Sequence, residues 1–305
     1  MDREPRAVRE CEGEGRLGLL GRFAVPDPAW IIGKNALLTV TAKLENGRTE
    51  LEPVTRRIPY QWQGCYYQDR DDQPFLLLHN SGGGFIEDDT AHLQIAAEAG
   101  TRFLMTTTAA GKFYKSEHGG VCRDLIEIEL ADDCLFEYLP DEVILYAHSR
   151  AERSLRVWAK PTSRVFLSDV ISAGRINYRE GEAFAFDSLR SECDLRIGPR
   201  RAWLDRLVAD TPAQIADLAD LWGGYQHMGT IVAYAPDLPT AAEDLVHEAL
   251  LRTPDVKAAV TRLGNIVCVR MLGDAPWQLH ETIYEAWAAL RPAIAGKRAR
   301  PINKP

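Results

Sequence analysis

No uninterrupted apolar run in these 305 residues approaches the ~18 that a membrane-spanning helix needs, so the sequence predicts no membrane span. The six cysteines, at positions 11, 65, 122, 134, 193 and 268, form no C-x-x-C pair, which speaks against a zinc knuckle or a disulfide framework and for reduced thiols in a cytoplasm. The seven histidines supply neither H-E-x-x-H nor any pair four residues apart, so a catalytic zinc has no support. A basic excess is missing too. With 36 Lys and Arg against 44 Asp and Glu the net charge is -8, which opposes nucleic acid and anionic membranes as partners and suits cations. Residues Met1 to Gly15 are mostly charged and lack the apolar centre of a secretory signal. They are expected to be a loose leader to a soluble, cytoplasmic protein.

The familiar catalytic signatures fail as well. A phosphate loop ending in Gly111-Lys112 would need glycine at 106, where Thr106 stands, and a hydroxyl at 113, where Phe113 stands. Gly82-Gly83-Gly84 has no lysine behind it. The serine beside that run, Ser81, is not in a G-x-S-x-G elbow. Nothing in the chain reads as an active centre, and no enzyme is expected.

What is present is an ordinary globular composition, 46% hydrophobic and 26% charged. Between Phe75 and Leu207 apolar residues alternate with polar ones, as in Ile126-Glu127-Ile128-Glu129-Leu130, and Gly or Pro punctuates the chain, so that region is expected to be all β. Asn46-Gly47 signals a hairpin. Gln68 to Gln73 reads as a solvated polar loop. From Thr230 the pattern changes to β-α-β-β-α. Its first helix is expected to open on a Thr240/Glu243 capping box and to bury Ala242, Leu245, Val246, Ala249 and Leu250. A hairpin turns at Gly264-Asn265. A second helix begins near Pro276, buries Leu279, Ile283, Ala286, Trp287 and Leu290, and is expected to stop before Pro292. With no linker before 230–292, the chain is expected to be one domain over 1–305, and the basic tail after Lys297 to fray.

Three blocks stand out in order. His79, Gly82, Gly83 and Asp88 come first; Thr106, Thr107, Ala110, Lys112, Tyr114 and Ser116 follow; Glu137, Leu139, Pro140 and Ile144 close the set. Gly174-Arg175, Gly181-Glu182, Gly229-Thr230, Val269-Arg270 and Trp287 to Lys297 continue in register. From about Leu76 to Lys297 this order resembles the urease accessory protein D family, called H in some organisms. Three departures are local: Ile86 and Glu87 stand where that family has a second glycine pair, Asn80 and Ser81 where it has prolines, and the ending Arg300 to Pro305 differs from its P-R-I-W.

The resemblance implies a coiled, two-layered, β-helix-like strand stack. It also implies a non-catalytic scaffold that binds the urease apoprotein and accessory proteins F and G, with no tightly held cofactor, and that helps transient Ni2+ through an internal passage. On that reading Glu142 and Glu182 line the passage and Asp88 holds the glycine loop or its mouth. Gly82, Gly83, Lys112, Tyr114, Lys115 and Arg175 are then partner-binding. An interaction module of the same fold with no metal role is the alternative. The residues themselves leave two readings open: Glu87 to Asp89 suit a water-facing loop, and Arg175 suits a salt bridge to Glu182 as well as Glu182 suits a metal role. Carboxylates bind nickel less tightly than imidazole or thiolate, which fits a relay better than a trap.

Overall fold

Alternation of period two dominates the chain, and most of it is accordingly strand. The computed structural model describes residues 35–67, 72–302 and 304; the expected leader at 1–15, the segment 16–34, most of the polar loop at 68–71 and parts of the extreme tail lie outside the described residues. The strands are β1 (Asn35–Glu45), β2 (Arg48–Arg57), β3 (Tyr60–Tyr66), β4 (Phe75–Asn80), β5 (Thr90–Ala97), β6 (Arg102–Thr107), β7 (Gly111–Phe113), β8 (Cys122–Leu130), β9 (Leu135–Tyr138) and β10 (Val143–Leu145). They continue as β11 (Arg150–Ala159), β12 (Arg164–Ser172), β13 (Ser188–Ile197) and β14 (Arg200–Ala209). After helix α1 (Pro212–Leu221) come β15 (His227–Tyr234), α2 (Ala242–Leu250), β16 (Lys257–Leu263), β17 (Ile266–Gly273) and α3 (Pro276–Ala295).

Two mixed sheets result. A seven-stranded sheet has the order β14-β13-β11-β8-β5-β1-β2, with β1, β5, β8, β11 and β13 parallel to their neighbours and antiparallel strands at both edges. A ten-stranded sheet runs β16-β17-β15-β12-β9-β6-β4-β3, with β7 and β10 attached beside β12 and a parallel block formed by β4, β6, β9 and β12. Parallel neighbours require a crossover. Here the crossover is a strand of the other sheet, because from β4 to β13 the chain passes back and forth between the two. Leu38, Leu93, Ile128 and Val157 from one sheet meet Leu76, Phe103, Phe136 and Val165 from the other in the inter-sheet core. On the far side of the ten-stranded sheet, Leu77, Phe166, Ile231 and Val267 are covered by Val246 of α2 and Leu279, Ile283 and Trp287 of α3.

The expected hairpins form: Asn46 and Gly47 take φ of 51° and 77° at the first, and Gly264 takes 61° at the second. Four helical expectations need correction. Helix α1 went unforeseen, although Thr211 caps it by accepting from Gln214 N and Pro212 opens it, with Ile215 and Leu218 buried beneath. Helix α2 starts on Ala241 with no side-chain cap bond, so the Thr240/Glu243 box is not made, and Leu245 is exposed. Helix α3 runs through Pro292 to Ala295 and ends at Gly296 in the left-handed region. A proline that near the end removes one hydrogen bond, and the buried Ile294 and Ala295 hold the last turn in place. The described tail is also tethered, with Lys297 Nζ on Asp72 at 2.7 Å and Lys304 Nζ on Asp141 at 2.6 Å.

Candidate functional site

The glycine loop after β4 is shaped by close approach. A Cβ on Gly84 would lie 2.6 Å from Tyr114 Cε2 and 2.7 Å from Lys112 O, so only glycine lets the loop lie against β7. Phe85 N then donates to Lys112 O at 2.7 Å, Tyr114 N to Phe85 O at 2.9 Å, and Phe85 stacks on Phe113 at 4.7 Å. Asn80 and Ser81 shape the turn themselves. Asn80 Oδ1 accepts from Gly82 N at 2.9 Å, and Ser81 Oγ donates to Pro59 O at 3.0 Å.

Glu87 is the clasp of this loop. Its carboxylate accepts from the backbone N–H groups of Gly120 at 2.6 Å, His118 at 2.8 Å and Glu117 at 3.0 Å, and from Ser116 Oγ at 2.9 Å. The Gly120 N–H above all, with Ser116 and His118, holds its carboxyl down at about 2. Asp89 is buried and accepts from Ile86 N at 2.9 Å. Asp88, expected to hold the glycine loop or its mouth, is exposed in a left-handed turn at φ 65°, with its carboxylate against Gly120. Gly82, Gly83 and Lys115 are exposed, Tyr114 packs edge-on against Tyr146 at 4.9 Å, and Lys112 lines a cavity behind the loop.

The two carboxylates expected along a passage sit in separate settings. Arg175 binds both oxygens of Glu182, with Nε to Oε2 at 2.7 Å, and its guanidinium lies over Tyr146 at 4.2 Å and Tyr178 at 3.8 Å. That bond, followed in size by the opposing push of partial burial, lowers the Glu182 carboxyl. Of the two open readings, the salt bridge is the one the geometry contains. Arg175 is accordingly committed to Glu182 and the two rings. Glu142 accepts from His280 Nε2 at 2.9 Å. Burial pushes its carboxyl up, but the His280 bond and its own backbone N–H outweigh that and leave it below the ordinary range. Nearby His227, buried, meets Ser172 Oγ at 2.7 Å through Nδ1, and burial lowers its pKa. The third carboxylate of that block, Glu137, is wholly buried between Arg291, Trp287 and Gln73.

Between the two sheets lie two adjoining cavities. One sits behind the glycine loop and is lined by His79, Gly84, Thr107, Lys112 and Asp141 among others; the second extends under β13 and β14 past Asp169, Cys193, Asp205 and Thr230. Asp124, Ile126, Tyr138 and Arg153 belong to the walls of both. Arg153 binds both oxygens of Asp169, at 2.8 and 3.0 Å, and Tyr60 Oη donates to Asp124 Oδ1 at 2.5 Å. Burial raises the Asp124 carboxyl, against the pull of Arg153 and Tyr60. This interior polar group was missed in the sequence. Its signal is a charge on the inward side of an apolar alternation, Asp124 among Cys122, Ile126 and Ile128, and Arg153 between Ala151 and Leu155.

A family model described as UreD urease accessory protein matches residues 34–304. The chain is similar to proteins named urease accessory protein UreD from Actinomyces naeslundii (29% identical, covering 74% of this chain and 82% of that one) and Methylobacillus flagellatus (27%, 88% and 92%). A protein of the same name from Pseudomonas aeruginosa is 26% identical, over 91% of this chain and 97% of its own.

Proposed function

The chain belongs to the UreD urease accessory protein family, and from that premise we propose that it is a non-catalytic scaffold that binds the urease apoprotein with accessory proteins F and G and passes nickel toward the urease site. Membership implies a role in urease maturation. The observation that supports the finer reading is the pair of cavities with Asp124, Ile126, Tyr138 and Arg153 in both walls, which sets charged side chains where a β protein of this size would otherwise pack only apolar ones. On this reading the alternation between sheets is a strand coil wound about that passage, in one domain. Nickel moves as transient cargo, in the cytoplasm. Gly82, Gly83, Tyr114 and Lys115, exposed or half-exposed around the glycine loop, give the partner a surface. Lys112 and Arg175 stand behind it.

A second reading, an interaction module without a metal role, is favoured by one observation: Glu182 and Glu142 are both engaged, by Arg175 and His280. One experiment separates them. The full chain carrying Ile126→Phe, which fills the wall common to both cavities, is co-expressed with urease subunits and the other accessory proteins. About tenfold less nickel per urease, with the complex still co-purifying, supports the passage. Unchanged nickel in an intact complex leaves only the interaction module, and absence of any complex with the unsubstituted chain overturns both.

A further inference from the structure

Between β12 and β13 the chain makes an excursion, 174–182, whose neck is closed. A Cβ on Gly174 would collide with the carbonyl oxygen of Glu182, so only glycine lets the two ends touch, and Arg175 binds both Glu182 carboxylate oxygens across the same neck. Within the excursion Tyr178 N donates to Arg175 O at 3.1 Å and Gly181 N to Tyr178 O at 2.8 Å. Tyr178 and Arg179 come out exposed. The guanidinium groups of Arg175 and Arg179 lie 3.8 and 5.1 Å from the Tyr178 ring centroid. Arg175 also lies over Tyr146, Tyr146 packs on Tyr114, and Tyr114 Oη donates to Gly83 O at 3.3 Å. One unbroken run of contacts thus leads from the glycine loop to Arg179.

Taking the glycine loop as the partner surface, as above, we propose that this run extends that surface and that Arg179 is its anchor for a carboxylate on the docked protein. Charge selects an acid as the occupant. Arg175 is committed to Glu182, and Lys115 has Glu117 at 3.2 Å. Arg179 makes no hydrogen bond or ion pair with a described residue, and the adjacent Glu180 does not close on it, although its charge is felt at Glu182. A planar guanidinium matches a carboxylate with two parallel hydrogen bonds. Stacking on Tyr178 holds Arg179 ready, so less side-chain freedom is lost on docking than a lysine there would lose. The Tyr178, Tyr146 and Tyr114 rings beside it are rigid, half-apolar faces that exclude water around such a pair. Arginine and tyrosine are the residue types on which interface energy concentrates.

The test titrates the purified full chain against immobilised urease apoprotein with the other accessory proteins present. Arg179→Glu is expected to weaken the complex about tenfold. Arg179→Lys, which keeps the charge but loses the fork and the stack, should fall between the two. The control is Lys160→Glu, the same change of charge at an exposed residue roughly 30 Å along β11 from the end that adjoins Ala185, and it should bind as the unsubstituted chain does. Between about 0.05 and 0.3 M NaCl the affinity of the unsubstituted chain should fall more steeply than that of Arg179→Gln, which also serves if Arg179→Glu does not fold. Unweakened binding by Arg179→Glu, or equal losses in Arg179→Glu and Lys160→Glu, overturns the anchor. If Tyr114→Ala abolishes the complex in that case, the glycine-loop surface still stands without Arg179. Full affinity in Arg179→Lys overturns the fork and leaves a point charge. No complex with the unsubstituted chain overturns the anchor and the docking reading together.

Discussion

Glu87 gathers donors from three consecutive positions of the 116–120 turn and one more from Gly120, so its carboxylate fastens the glycine loop to the segment after β7. Its carboxyl is held at about 2, below the ~4.3 of an unfolded glutamate. A depressed acid contributes stability that is full above the unfolded value and is lost as pH falls through the folded one. The protection of the Gly120 and His118 amides, taken as exchange relative to the intrinsic rate at each pH, is therefore expected to hold down to about pH 4.5 and to fall toward pH 2. With Glu87→Gln that dependence should flatten, and an unaltered pH profile would show that the clasp does not order the loop. Arg175 and Glu182 are a half-exposed pair, for which a double-mutant cycle with Glu182→Gln and Arg175→Gln should give a coupling of about 1 kcal/mol or less in urea unfolding. At this scale the sequence pointed to the right neighbourhood. Asp88 was singled out because it falls in a recognisable motif, whereas Glu87, which gathers the donors, stands at a position where the family has glycine. Donor geometry of that kind depends on the 116–120 turn, some thirty residues away, and no local pattern encodes it.

Helix α3 is fixed to the sheet by one buried charge pair. Glu137 on β9 receives Arg291 Nε at 3.1 Å and Nη2 at 3.2 Å, the Trp287 indole N–H at 2.6 Å and Gln73 Nε2 at 2.5 Å, while Arg291 Nη1 ties down Arg298 O at 2.8 Å. Removing one partner strands the other without solvent. Arg291→Ala is thus expected to cost about 3–5 kcal/mol in urea unfolding, and Trp287→Phe, which loses only a hydrogen bond to a charged group, about 1.5–3 kcal/mol. Equal small losses for both would mean that water reaches Glu137. The same network explains why α3 passes Pro292: Leu290, Arg291 and Ile294 are all buried, and their contacts continue the helix past a residue that weakens it. Period and turn chemistry made the strands, both hairpins and the core face of α3 legible. Tertiary contacts decided what was not. Ala241 begins α2 without the cap that Thr240 and Glu243 suggested, and α1, ten residues long, is short enough to be hidden between two stretches of strand.

Across the whole molecule, the ten-stranded sheet is the shared wall of both cores, and its central strands divide their side chains between them. Phe136, Val165 and Leu167 enter the inter-sheet core; Leu135 and Phe166, their immediate neighbours in sequence, enter the layer under α2 and α3. The sequence carries this as consecutive apolar residues, Phe75 to Leu78 in β4 and Val165 to Leu167 in β12, which mark strands buried on both faces. A strand packed on two sides cannot leave one core without opening the other. Unfolding is accordingly expected to be one cooperative transition, in spite of the change from all-β to β-α-β-β-α near β15. Phe136→Ala on one face and Leu279→Ala on the other, both fully buried, should each lower the single urea midpoint, with losses of about 3–5 and 2–5 kcal/mol of stability respectively. Far-ultraviolet ellipticity and tryptophan fluorescence should then follow the same curve in both variants. A helical signal in Leu279→Ala that melts ahead of the strand signal would show instead that α2 and α3 are a separate cooperative unit.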